Sequence, residues 1–317
     1  MITKVEAIGY QCLRDVKQTL KPFQILVGPN GSGKSAFLDA IAFVRDVVKV
    51  GVQEAVLRRT RNFYDLVWGR SGKGFSLAVE FDAGTVDRYA MDVELGPNGD
   101  STPRLVRRSS ARAQGTLELV GTTKVLLTSS KLRQPSPHGS WSTEYYDGSE
   151  FALKVALLAN ETSVFESWIR HIQTAIPDLV GIRLIDQADR YIMVQYSGGV
   201  EVPQWMVSDG TLRLLALTIL AYLPGPSPTY LIEEPEVGLH PTAIETVMQS
   251  LSSVYDGQVL ITSHSPIVLG IAQPDQLLCF QKGKAGTVVT PGEEHPLLKD
   301  WKAGVDISAL YAAGVLG

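Results

Sequence analysis

The stretch LVGPNGSGKSAF, residues 26–37, restricts the possible folds more than any other part of the chain. From Gly28 to Ser35 it fits G-x-x-x-x-G-K-[ST], with an apolar strand before it and a helical pattern after it. A phosphate chain is dense in negative charge and needs many donors converging in a small volume. Glycines let the backbone turn its N–H groups inward, and the following helix adds its positive end. In this reading Gly28, Asn30, Gly31, Ser32, Gly33 and Ala36 form the cradle. Lys34 reaches the β- and γ-phosphates of a nucleotide, and the Ser35 hydroxyl binds Mg²⁺.

Three later segments point to the same chemistry. TYLIEEPE, residues 229–236, is an apolar strand ending in carboxylates, with Glu233 at the metal side and Glu234 as the base for an attacking water. LITSHSP, residues 260–266, places His264 just past another apolar strand, in reach of a γ-phosphate or that water. VSDGTLRLLAL, residues 207–217, offers Ser208, Gly210 and a helix N-terminus as a second small anion-binding device. One site rarely needs two helix N-termini so far apart in sequence, so a second copy of the chain could bring one of them. Taken singly, paired acids are surface charge and a lone histidine is structural; it is their order after the glycine loop that points to one site.

Strands alternating with helices imply an α/β fold with a parallel sheet and ligands at the carboxyl ends of its strands. Three zones differ in texture. Residues 1–95 read as short strands around one helix over 35–50, which buries Phe37, Ile41, Val44, Val47 and Val48. Residues 96–202 read as an irregular α+β middle insertion, with Arg104, Arg107, Arg108, Arg112, Lys124, Lys131 and Arg133, a helical stretch over 151–176 and two strands. Residues 203–317 return to strand and helix alternation, with a helix over 210–222 and another starting at Pro241.

Composition narrows the partners. A formal charge of −4 gives no global attraction to nucleic acid, so any such contact needs a local patch. The two cysteines, Cys12 and Cys279, are far apart and read as small buried thiols of a reducing interior. The longest apolar run, LLALTILAYL, is too short to span a bilayer, and the expected setting is cytoplasmic.

The order of glycine loop, S-D-G-T, LIEEPEVGLHP and TSHSP resembles the ABC-type ATPases of the SMC-like and OLD-like branch. More narrowly, the chain is similar to small prokaryotic AAA-family ATPases of phage-defence and toxin-like systems. The resemblance implies a P-loop NTPase with an ABC-ATPase-like core and two ATP molecules sandwiched between two protomers. It implies that Lys34, Ser35, Glu233 and Glu234 serve ATP and Mg²⁺ in one protomer while Ser208 and the Gly210 amide arrive from the other, with His264 as the switch histidine. The expected activity is ATP hydrolysis in a homodimer that controls a separate effector protein, such as a nuclease or toxin. The alternative is a DNA-repair or DNA-end-binding ATPase, carried by the arginine run. A transporter subunit fits less well, since the chain has EEPE and VSDGT where such subunits have DEPT and L-S-G-G-Q. Two departures stand out: Glu233 replaces the usual aspartate, and VWGRSGKG, where the family's loop glutamine is sought, holds none.

Overall fold

The strand that feeds the glycine loop, Phe23–Val27, is apolar almost throughout because both of its faces are covered. Ile25 and Val27 join one hydrophobic cluster, whereas Leu26 joins the other, on the opposite face of the same sheet. In the computed structural model, residues 1–82, 86–96, 102–109, 113–138, 144–225, 228–284 and 286–298 are described. Arg112 and the tail residues Trp301, Leu310 and Tyr311 lie outside them.

The first elements are β1 (Ile2–Tyr10), β2 (Leu13–Thr19), β3 (Phe23–Val27), α1 (Lys34–Val50), α2 (Val52–Leu57), β4 (Gly74–Asp82), β5 (Val86–Leu95) and β6 (Pro103–Ser109). Next come α3 (Ala113–Val120), β7 (Thr122–Val125), α4 (Ser129–Leu132), β8 (Tyr145–Tyr146), α5 (Phe151–Ala159), α6 (Thr162–Gln173), β9 (Leu179–Asp186), β10 (Arg190–Tyr196) and β11 (Val200–Pro203). The last are α7 (Asp209–Thr218), β12 (Thr229–Glu233), α8 (Pro241–Ser252), β13 (Gln258–Thr262), α9 (Pro266–Ile271), β14 (Leu277–Gly283) and β15 (Gly286–Pro291).

Seven strands form the central sheet in the order β15-β14-β3-β13-β12-β7-β8. All neighbours are parallel except the edge pair β14–β15. The carboxyl ends of β3, β13 and β12 therefore lie side by side, and they carry the glycine loop, Thr262 with His264, and the paired glutamates. A five-stranded antiparallel sheet, β2-β1-β4-β5-β6, covers the α1 side. A three-stranded sheet, β11-β10-β9, packs with α5 to α9 on the other side. The segment 96–202 thus supplies β6 to one sheet, β7 and β8 to the central sheet, and β9 to β11 to the third.

The expected one-sided helix over 35–50 is α1, but it is buried nearly all round, from Lys34 through Val47 with few interruptions. It lies between the central sheet and the five-stranded sheet, so Leu38, Ala40, Ala42 and Phe43 are covered as well. The helical stretch over 151–176 is two helices, broken at Asn160 and Glu161, where Glu161 leaves helical geometry. Unbroken, it would run roughly 39 Å and carry one end off the core. The break folds α6 back against α5 and buries Trp168, whose indole N–H donates to Thr218 at 2.9 Å. Cys279 is buried as expected, but Cys12 is exposed, because it occupies the tight turn between β1 and β2. Among the described residues, no helix is long and apolar enough to cross a membrane.

Burial all round forces α1 to satisfy two charged residues inside the protein. Arg45 and Asp46 are both fully buried, with Arg45 Nη2 2.6 Å from Asp46 Oδ1. Arg45 also donates to the carbonyls of Thr122 and Glu144 and lies over the Tyr145 ring, which ties α1 to β7. Arg59 binds the other Asp46 oxygen at 2.9 Å. Arg45→Ala leaves a buried carboxylate short of its partner and takes one donor from each of the Thr122 and Glu144 carbonyls. We expect it to cost about 3–5 kcal/mol in urea-unfolding measurements.

Candidate functional site

The loop after β3 can close only with glycine at its two tightest points. Gly28 has φ 142°, and a Cβ there would stand 2.0 Å from the Phe280 carbonyl oxygen of β14. Gly33 has φ 106°, and its Cβ would meet Thr287 Oγ1 at 2.6 Å. Thr287 donates to the Ser32 carbonyl at 2.8 Å, so β14 and β15 press the loop into place from outside. Gly33 is the N-cap of α1 and provides no side-chain cap. The first-turn amides, which have no intrahelical acceptor, therefore face the loop's hollow.

A cleft of about 260 Å³ opens there, lined by Gln11, Cys12, Asn30, Gly31, Gly33, Lys34, Ser35, Ala36, Glu234, Thr262 and His264. Lys34 is buried, and its ammonium donates to the carbonyls of Gly28 (2.7 Å) and Pro29 (2.9 Å). Burial pulls its pKa down to about 8, against a weaker upward pull from Glu234. Ser35 Oγ donates to Glu233 Oε2 at 2.5 Å, and Lys124 Nζ of β7 stands 3.0 Å from Glu233 Oε1.

Glu234 is one of three non-glycine residues with positive φ among the described residues, at 46°. Such backbone strain in a non-glycine residue gathers at functional positions. Its amide donates to the Thr262 carbonyl at 3.0 Å, which fixes the turn at the end of β12. His264 Nε2 lies 3.9 Å from Glu234 Oε1. Burial and the nearby Lys34 hold the His264 pKa below its ordinary value, while Glu234 and Glu236 pull it the other way.

The structure thus brings Asn30, Gly31, Gly33, Lys34, Ser35, Ala36, Glu234 and His264 around one cleft, with Glu233 hydrogen-bonded at its edge. Gly28 and Ser32 shape the loop from behind, and the Ser32 hydroxyl is buried without a hydrogen-bond partner. Ser208 and Gly210 are not in this cleft. Ser208 caps α7 by accepting from the Thr211 amide, and Gly210 packs beneath the Gly238 carbonyl. The helix they begin packs in the cluster on the opposite sheet face from α1.

Three residues of the site escaped the sequence reading. Glu236, quoted in EEPE but given no role, accepts from Ser263 Oγ (2.6 Å) and from the His264 amide (3.2 Å), which holds the histidine's loop against β12. The glutamine beside the cleft is Gln11, in the β1–β2 turn, where it donates to Asp39 at 3.0 Å. Lys124, counted in the basic run, belongs to the site, and Arg133 is taken by Asp209. Among the described residues the run is therefore not one patch: Arg104, Arg107 and Arg108 lie together, exposed along β6.

The arrangement fits a nucleotide with Mg²⁺. The glycine-lined hollow leaves open space over Gly31, the uncapped amides and Lys34 are donors, and Ser35 and Glu233 are oxygen ligands. Among the described residues, no group of three or more His, Cys, Asp or Glu is placed to hold a metal ion.

Residues 23–96 and 98–270 match the family described as "AAA domain, putative AbiEii toxin, Type IV TA system". The chain belongs to this family. No curated protein matches the sequence of this AAA domain. Among solved structures it is similar to an Smc head bound to the C-terminal winged-helix domain of ScpA, at 18% identity and a TM-score of 0.66, covering 91% of this chain and 97% of that one. It is also similar to an Smc head with an extended coiled coil bound to the C-terminal domain of ScpA, derived from Pyrococcus furiosus. That likeness has 17% identity and a TM-score of 0.63, covering 91% of this chain and 95% of that one. The AAA domain therefore has the ABC-ATPase-like P-loop fold of SMC heads, and its family is one of nucleotide-binding ATPases.

Proposed function

We propose that this AAA domain hydrolyses ATP as a switch, closing as an ATP-sandwiched homodimer that controls a separate effector protein in prokaryotic phage defence. The observation that carries the reading is the division of the site. Lys34, Ser35, Glu233, Glu234 and His264 meet at one cleft, while the α7 N-terminus, with Ser208 exposed and Gly210 half-buried, lies outside it. A second copy, turned about a two-fold axis, would bring that N-terminus over the cleft, where its amides complete an anion site.

In this reading Lys34 and the amides of residues 31–36 hold the phosphates, and Ser35 with Glu233 would hold Mg²⁺. The metal, when bound, neutralises phosphate charge. Glu234 takes a proton from the attacking water, and His264, kept in its neutral form by burial and Lys34, offers a hydrogen bond beside it. Residues 1–95 and 203–317 would carry the two parts of the ATPase core, with 96–202 as the insertion between them. The toxin-type description of the family supports a defence setting, and the ScpA domains seated on the similar heads support a protein partner.

Multi-angle light scattering tests the closure. With a non-hydrolysable ATP analogue and Mg²⁺, the mass is expected to double, and Ser208→Arg, which puts a bulky side chain at the α7 N-terminus, is expected to keep nucleotide binding but remain monomeric. A mass that never changes with nucleotide, or a Ser208→Arg variant that dimerises normally, removes the sandwich. Among the described residues, the DNA-end reading rests on Arg104, Arg107 and Arg108 of β6. DNA binding that weakens steeply between two salt concentrations and is lost when these three are replaced would favour it.

A further inference from the structure

Lys124 pairs in register with Leu231 of β12. In parallel strands that places it on the same sheet face as Glu233, two residues further on. This is the α1 face, where Leu231 packs against the helix that begins with Lys34 and Ser35. One carboxylate is consequently held at both oxygens: Lys124 Nζ at 3.0 Å from Oε1, and Ser35 Oγ at 2.5 Å from Oε2. The ion pair is not a loose surface pair, since the Lys124 side chain is 17% exposed and that of Glu233 30%.

The need for such a brace follows from the length of Glu233. Relative to an aspartate, a glutamate has one more methylene and one more torsion, so its carboxylate wanders unless something fixes it. We propose that Lys124 is a positioning residue that braces Glu233. In the braced arrangement the Ser35 hydroxyl commits its proton to the carboxylate and turns its lone pairs to the cleft that Ser35 lines. A hydroxyl so oriented is a ready ligand for a divalent cation arriving with a nucleotide. Lys124 thus acts on metal binding through Glu233 and Ser35 without touching the metal or the phosphates. The inference rests on the reading of this cleft as a Mg²⁺–nucleotide site.

The test is the Mg²⁺ concentration that half-saturates binding of a fluorescent ATP analogue to the full chain. Outer partners of metal ligands typically contribute 10- to 100-fold in metal affinity. Lys124→Met is expected to raise the Mg²⁺ midpoint on the order of tenfold or more, with affinity for the analogue in EDTA within about twofold of wild type. Lys124→Arg, which keeps the charge, should restore most of the shift. In a Glu233→Asp background the shorter arm needs no brace, so Lys124→Met should move the midpoint by less than about twofold. Lys124→Gln carries the same expectations and serves if the methionine variant does not fold. A midpoint that stays or falls in Lys124→Met, or a shift just as large in the Glu233→Asp background, overturns the brace. A wild-type chain that binds no analogue at any Mg²⁺ concentration overturns the reading of the cleft and the brace with it.

Discussion

Lys34→Ala is expected to weaken ATP binding by a factor on the order of 100 or more in isothermal titration calorimetry. A buried, hydrogen-bonded charge partner is worth about 2–5 kcal/mol when truncated. Here the ammonium is buried at the mouth of α1 and spends its protons on the Gly28 and Pro29 carbonyls. Those carbonyls preorganise it where the phosphates of a nucleotide would lie, so the alanine loses both the cation and the geometry. Lys34→Met keeps the length without the charge and should lose nearly as much, which separates electrostatics from packing. Lys34 also gives the binding a pH dependence. Its pKa near 8 in the free chain is set by burial, and phosphate oxygens favour the charged form. Binding above pH 8 must therefore draw a proton from solvent, and affinity is expected to fall by up to about tenfold per pH unit there. An affinity flat from pH 7 to 9.5, or an unimpaired Lys34→Ala, would show that phosphate is held elsewhere.

The parts of this site legible in the sequence were those written in contiguous residues. Gly28 to Ser35 is one turn and the start of one helix, so its geometry is a local matter, and Glu233 and Glu234 sit at the end of a five-residue apolar strand that identifies itself. The fold class followed for the same reason, since strands β3, β12 and β13 are buried on both faces and read as continuous apolar runs. What stayed hidden depends on register between distant segments. Lys124 resembles any cation of a basic run until β7 is paired with β12, a separation of about a hundred residues that no spacing rule spans. Gln11 reaches the cleft only because a tight turn joins β1 to β2 beside the loop, and Glu236 matters only because β13 delivers Ser263 next to it. The break at Asn160 and Glu161 was equally hidden, because it is imposed by where Trp168 must be buried and not by a helix-breaking residue.

Glu234→Gln separates binding from chemistry. The substitution is isosteric and keeps the turn, whose hydrogen bonds run through the backbone: the residue 234 amide to Thr262, and the Val237 amide to the residue 234 carbonyl. It removes the carboxylate's charge and with it the capacity to accept a proton. At 3.9 Å the Glu234 carboxylate and His264 are too far apart for a direct hydrogen bond, so neither is spent on the other. General-base catalysis contributes about 10²- to 10⁴-fold, and steady-state phosphate release should fall by that factor while ATP affinity holds. If hydrolysis is what reopens the sandwich, the same variant should elute with ATP and Mg²⁺ as a stable dimer, where wild type cycles back to monomer. Two results count against the assignment in different ways. Unchanged phosphate release removes Glu234 as the base and leaves the cleft's binding role intact. Release that falls without any dimer in the light-scattering trace keeps the base but detaches hydrolysis from closure, because Ser208 would then have no part in the cycle.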